Sequence, residues 1–194
     1  MNFKQMITVA LLAGCSAVAN AEVVVINFEN LSAPSSVTNQ YAPLGVHFSA
    51  TPVVDIKGVI HNTVEVFSYS GGAFGTRAAG LWGGPILITF DSEVSNFSVL
   101  MNDTERGTLL GSVRAFDSNG NLMAYITDMT GAYNTASYYQ HTFTLNFGGI
   151  RSVVLTADSD GAVFDNITFT RIPAPNAASL LGLGLLAAGR RRRP

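Results

Sequence analysis

Val113-Arg114-Ala115-Phe116-Asp117, then Ser118-Asn119-Gly120-Asn121, then the run from Leu122 to Asp128: the reading of this chain turns on that stretch. Apolar and polar residues alternate before the break, which sets one face of an extended strand on a core and the other in water. The break holds Asn119 and Gly120, which tolerate positive φ, so it reads as a hairpin turn between antiparallel strands. Phe143-Thr144-Leu145-Asn146-Phe147 repeats the alternation.

Outward from that hairpin, residues 22–171 form short runs rich in Val, Ile, Phe and Thr, divided by Gly, Asn, Asp, Ser and Pro. That is the strand-and-turn pattern. Strands are expected over 23–28, 45–49, 53–60, 64–69, 86–90, 94–101, 111–117, 122–128, 140–145, 152–156 and 162–171, with no convincing helix between them. Charged residues make up only 12% of the chain, and 19 glycines punctuate it, which favours strands over exposed helices. The expected fold is all-β: an antiparallel β-sandwich of jelly-roll type, with two sheets packed face to face.

A length of 194 residues suits one such domain with short appendages. Between Glu22 and Arg171 lie six Lys and Arg against thirteen Asp and Glu, a net charge of about −7. A duplex-binding surface needs clustered cations to displace counterions from phosphate, and none exists between Glu22 and Arg171, so no nucleic-acid partner is expected. The only cysteine, Cys15, lies in the first apolar stretch, so the body makes no internal disulfide and no thiolate metal site.

The two ends read as addresses. Lys4, the apolar run from Met6 to Val18 and Ala19-Asn20-Ala21 have the three regions of a secretory signal helix; signal peptidase would cut after Ala21. Leu12-Ala13-Gly14-Cys15 also resembles a lipoprotein box, in which Cys15 would be acylated, and the two readings compete. At the far end, Pro173-Ala174-Pro175 precedes an apolar run from Ala177 to Gly189 and the block Arg190, Arg191, Arg192, Arg193. The leucines favour a short apolar helix, and the arginines hold its end on the cytoplasmic side.

That order resembles the PEP-CTERM sorting signal, over about 23 residues at the terminus. The resemblance implies export from a Gram-negative cell, transient inner-membrane insertion and recognition by an exosortase. It departs at Ala174, where the family carries Glu; a sorting enzyme that reads that carboxylate would leave the tail uncut as an anchor. The organisation expected is therefore a signal peptide over 1–21, a sandwich domain over 22–171 and a sorting or anchor segment over 172–194.

Asn27-Phe28-Glu29-Asn30-Leu31, the segment Gln40 to Phe48 and the closing Ala162-Val163-Phe164-Asp165-Asn166-Ile167-Thr168-Phe169 resemble strands of secreted bacterial sandwiches related to carbohydrate-binding modules. In many of those a structural calcium ion ties the first strand to the last. The resemblance implies that Glu29, Asp165 and Asn166, with Asn30 as a further oxygen donor, would hold Ca²⁺ here. Asp158 and Asp160 are lesser candidates, and plain strand-end capping is the alternative. The Gly-rich stretch from Tyr69 to Pro85 carries the sole Trp, and Trp82, Tyr69 and Arg77 could stack on and hydrogen-bond a sugar. Equally, that loop could fold over the sandwich and bury Trp82. Of Tyr138 and Tyr139, neighbours on a strand, at most one faces a ligand.

No catalytic residue is nominated. His47, His61 and His141 match no zinc spacing, and there is no nucleophile elbow. A secreted glycoside hydrolase needs an acid and a second carboxylate, but nothing in the sequence selects a pair. The function expected is a non-enzymatic surface or matrix protein associated with extracellular polysaccharide, with calcium-supported glycan binding as the alternative.

Overall fold

Runs rich in β-branched and aromatic residues extend into strands, and the computed structural model is all-β. It describes residues 21–50, 53–54, 60–61, 63–68, 77–80, 84–103, 109–130, 139–157 and 162–171. These belong to one compact unit, Ala21–Ile172. In chain order the strands are β1 (Glu22–Ile26), β2 (Ser35–Val37), β3 (Val46–Ala50), β4 (Val53–Val54), β5 (Ile60–His61), β6 (Val64–Ser68) and β7 (Arg77–Gly80). They continue with β8 (Ile86–Asp103), β9 (Leu109–Phe116), β10 (Leu122–Thr130), β11 (Tyr139–Leu145), β12 (Ile150–Ala157) and β13 (Ala162–Arg171).

The hairpin forms where the sequence puts it, with β9 antiparallel to β10 and Arg114 opposite Tyr125. Asp117 Oδ1 accepts the backbone N–H groups of Asn119 and Asn121, both at 2.8 Å, and closes the turn. Elsewhere the structure redraws the elements. The single strand expected over 53–60 is instead the antiparallel pair β4 and β5, with Val54 opposite Ile60. Two short strands were not anticipated: β2, and β7 inside the stretch read as a loop.

The largest difference is β8. Expected as two strands, it is one of 18 residues that bends rather than breaks. Its first half lies between β12 and β3, and its second half between β11 and β13. Asp91, Ser92 and Glu93 are exposed at the bend and Asn96 has φ 53, so the polar cluster marks a corner where one strand passes between sheets. The first sheet thus runs β10-β9-β12-β8-β3. The second runs β11-β8-β13, then β7-β6-β2, with β1 also on β13. All pairings among the described residues are antiparallel.

The inner faces of both halves meet in one core. Val113, Val153, Ile88 and Phe90 from the first sheet join Phe97, Phe143, Ile167 and Phe169 from the second in a single buried cluster. Phe90 meets Phe169 at 5.0 Å between ring centroids, and Phe97 at 6.3 Å. Each fully buried Phe contributes about 1.5–3 kcal/mol through loss of apolar surface from water. The expected antiparallel sandwich is present. The expected terminal helices fall outside the described residues; among the described residues no helix is long and apolar enough to cross a membrane.

Candidate functional site

Strand β13 changes neighbours midway along one edge. It pairs with β7 through Phe164 opposite Ala79, and with β1 from Ile167 opposite Ile26 onward. Asp165 and Asn166 occupy the gap between those partners. On the other edge the register against β8 also shifts between Asp165 and Thr168. Asn166 adopts φ 48, the left-handed conformation that Asn tolerates better than most residues.

Into this junction the chain places a carboxylate. Asp165 is 1% exposed, and among the described residues its Oδ1 meets no hydrogen-bond donor. An unsatisfied buried polar group of this kind costs about 1–3 kcal/mol. Burial drives the Asp165 carboxyl up to about 7; a hydrogen bond from the Asn166 backbone opposes the shift, and the nearby negative charge of Glu29 adds to it. Tyr41, also buried, is pushed up to about 12 by burial and by the Asp165 charge, while its hydrogen bond to Asn30 pulls the other way. The Tyr41 hydroxyl donates to Asn30 Oδ1 at 2.8 Å.

Glu29 is held from the opposite side. Its Oε1 accepts the backbone N–H of Arg77 at 3.0 Å, at the start of β7, and Arg77 Nε donates to the Leu31 carbonyl at 3.3 Å. Phe28, just before Glu29, has φ 57, a region that costs a bulky L-residue about 1–2 kcal/mol. Its ring is completely buried, with edge-on contacts to Tyr41 at 5.6 Å and Phe48 at 5.8 Å, which offset that strain. The strained turn is what aims Glu29 back toward β7 and β13.

The structure therefore brings together Glu29, Asp165, Asn166 and Arg77, of which the first three were assigned to a metal and the fourth to a sugar. Asn30 is engaged by Tyr41. Trp82, Tyr69 and Tyr138 lie outside the described residues, as do Asp158, Asp160, Cys15, Pro173, Pro175 and Arg190 to Arg193. Among the described residues no three His, Cys, Asp or Glu side chains cluster as a metal site. Chemically, the described residues of the junction offer two hard carboxylates and amide oxygens.

Two arrangements escaped the sequence. His47 Nε2 lies 2.9 Å from Asp91 Oδ1, a pair 44 residues apart that only the adjacency of β3 and β8 creates. Arg114 stacks over the Tyr125 ring at 4.8 Å, for which the alternation in the hairpin was the available signal.

Among solved structures, the chain is similar to the enzymatically active domain of tailspike protein 4 of bacteriophage CBA120, at 18% identity and a TM-score of 0.38, covering 69% of this chain and 21% of that one. It is similar also to the CBM22-1 xylan-binding domain of Paenibacillus barcinonensis Xyn10C, at 14% identity and TM-score 0.34, covering 66% of this chain and 86% of that one. A family 29 carbohydrate-binding module is similar at 10% identity and TM-score 0.35, covering 78% and 89%. No protein-family profile matches the chain, and no curated protein does.

Proposed function

We propose that this is an exported, non-enzymatic protein of the cell surface or extracellular matrix, associated with exopolysaccharide and delivered through the exosortase pathway. Its body would be a sandwich of jelly-roll type, its leader would be removed by signal peptidase, and its tail would insert transiently in the inner membrane. One observation supports this most: β1 and β13 pair with Glu22 opposite Arg171, joined by a salt bridge at 2.8 Å. The segments before and after the body thus attach at one end of one sheet, so both can serve transport without interrupting the core. Mass spectrometry of the mature protein from the cell that makes it tests the reading. Chains beginning at Glu22 or at an acylated Cys15, and shortened or membrane-bound after Pro175, are expected; an untrimmed, soluble cytosolic chain refutes it.

A second reading, calcium-supported glycan binding, rests on the orphaned Asp165 Oδ1 facing the charge of Glu29. The donor set fits a hard cation: Glu29 and Asp165 would supply carboxylate oxygens and Asn166 an amide oxygen, toward the six to eight that Ca²⁺ prefers. The ion would supply charge compensation at the junction of β1, β7 and β13. Trp82, Tyr69, Arg77 and Tyr138 are the proposed glycan contacts. Retention on a polysaccharide panel, and its loss in Trp82→Ala, is the expected result; a panel that retains nothing leaves the matrix role alone.

A further inference from the structure

The outer face of the first sheet carries a pattern that neither reading uses. Strand register aligns Tyr125, Arg114, Val154, Leu87 and Ser49 in one row across all five strands. At about 4.8 Å between strands, the row is about 19 Å long. Rows of hydroxyl groups flank it. Thr127, Ser112 and Thr156 lie on one side, with Ser112 and Thr156 hydrogen-bonded to each other. On the other side Ser152 and Thr89 stand between Phe116 and His47. Tyr125, Arg114, Thr127 and Ser49 are exposed, Val154, Leu87, Thr156, Ser152 and Thr89 are half-buried, and Ser112 is buried against Thr156.

Among the described residues Arg114 is the one formal charge of these rows away from the His47–Asp91 corner. The four arginines among the described residues differ in one respect. Arg77, Arg151 and Arg171 each donate from the guanidinium to a protein oxygen. Arg114 is exposed, and among the described residues its guanidinium has only the Tyr125 ring for a partner. Stacking occupies a flat face of the guanidinium and leaves the in-plane N–H groups available, in the fork geometry that matches a carboxylate. Tyr125, itself 53% exposed, holds that fork in place on an edge strand.

We propose that this face binds an acidic polysaccharide: a uronate carboxylate on Arg114, the C–H face of a sugar ring on Val154 and Leu87, and ring hydroxyls on the flanking Ser and Thr. The inference rests on the carbohydrate-associated reading above and names for it a face and a ligand class. Charge density selects the polymer. A duplex presents one charge per about 1.7 Å and would demand a file of cations, whereas a uronate polymer carries at most one carboxylate per sugar ring, so a single arginine can hold one of them while the ring beside it meets the apolar row. An extended peptide would seek a strand edge for its backbone, and this is a sheet face.

The test uses the mature full chain, in EDTA so that no bound cation mediates retention. Affinity is measured for polygalacturonate, for the same polymer with its carboxyls reduced, and for a neutral panel of xylan and soluble cellulose derivatives. Expected are binding to polygalacturonate that weakens with salt, an affinity loss of about tenfold in Arg114→Gln, partial recovery in Arg114→Lys and a smaller loss in Tyr125→Ala. Both positions are exposed, so thermal melts should match the parent and separate binding from folding. Equal binding by the reduced polymer, or undiminished binding by Arg114→Gln and Tyr125→Ala, overturns the inference while the carbohydrate reading survives. Retention of no polysaccharide at all refutes the glycan-binding reading and this one with it, and leaves the matrix role alone.

Discussion

Asp117 and Asp165 are both carboxylates beside an asparagine on a β-strand boundary or kink, yet their surroundings drive them in opposite directions. Asp117 lies in the β9–β10 turn, where hydrogen bonds from the side chain and backbone of Asn121, and then from Asn119, hold its carboxyl below the ordinary range. Every partner is within four residues. Asp165 lies at a junction of three strands, where burial dominates and the adjacent charge is Glu29, more than a hundred residues away in sequence. The first carboxylate is stabilised as an anion by local geometry. The second is destabilised as an anion by tertiary geometry, and a buried destabilised anion is where a cation or a proton has most effect.

The sharpest way to break that contrast is Asp165→Asn. With the folded carboxyl raised from 3.8 to about 7, the folded chain binds more protons than the unfolded one between those values. Its contribution is therefore fully present below the lower value and lost as pH rises through the higher one. At 1.36 kcal/mol per unit, the loss reaches up to about 4 kcal/mol. Urea denaturation in EDTA should show the variant more stable than the parent at pH 8 by up to that amount, with no advantage at pH 4. Added Ca²⁺ at a hundredfold excess over its dissociation constant should stabilise the parent by about 2.7 kcal/mol and the variant not at all. A parent indifferent to calcium removes the metal from the second reading.

Glycine substitutions sharpen the same comparison at smaller scale. A Cβ on Gly80, beside the junction, would lie 2.8 Å from the Ala162 carbonyl oxygen, a backbone atom that cannot swing aside. Gly80→Ala should cost about 1–3 kcal/mol by forcing β7 away from β13. Gly120, in the turn, has φ 79 and open space around it. Gly120→Ala should cost about 1 kcal/mol, through backbone conformation alone. The reverse order would mean that the junction yields more readily than the hairpin.

The smallest effect is expected from Asp117→Ala. The depressed carboxyl contributes stability above its unfolded value and loses it as pH falls through the folded one. Thermal melts should show a slight drop at pH 7 that disappears under strongly acidic conditions. A drop that persists there would assign the role of Asp117 to turn geometry rather than to its charge.

Local rules carried the reading where partners are close in sequence. The alternation of Val113 to Phe116 and the Asn119-Gly120 pair fixed the hairpin and its turn, and strand composition fixed the all-β class. The same rules misread Asp91-Ser92-Glu93 as a break, because a polar cluster at a sheet corner and one in a loop have the same composition. They missed β7 because Arg77 to Gly80 is short, small-sided and follows a Gly-rich run. Glu29 and Asp165 were paired in advance only through a resemblance to other sandwiches, and nothing local hinted that Arg77 would join them.

By itself, the sequence determined strands, one turn and the acidity of the body, since each follows from residue chemistry within a few positions. Only the tertiary structure decided that β8 turns a corner between two sheets, that Asp165 is buried with no donor to its Oδ1 among the described residues, and that Tyr125, Arg114, Val154 and Leu87 stand in one row. Register, burial and convergence depend on which strands become neighbours, and that is settled by packing one shared core rather than by any single segment.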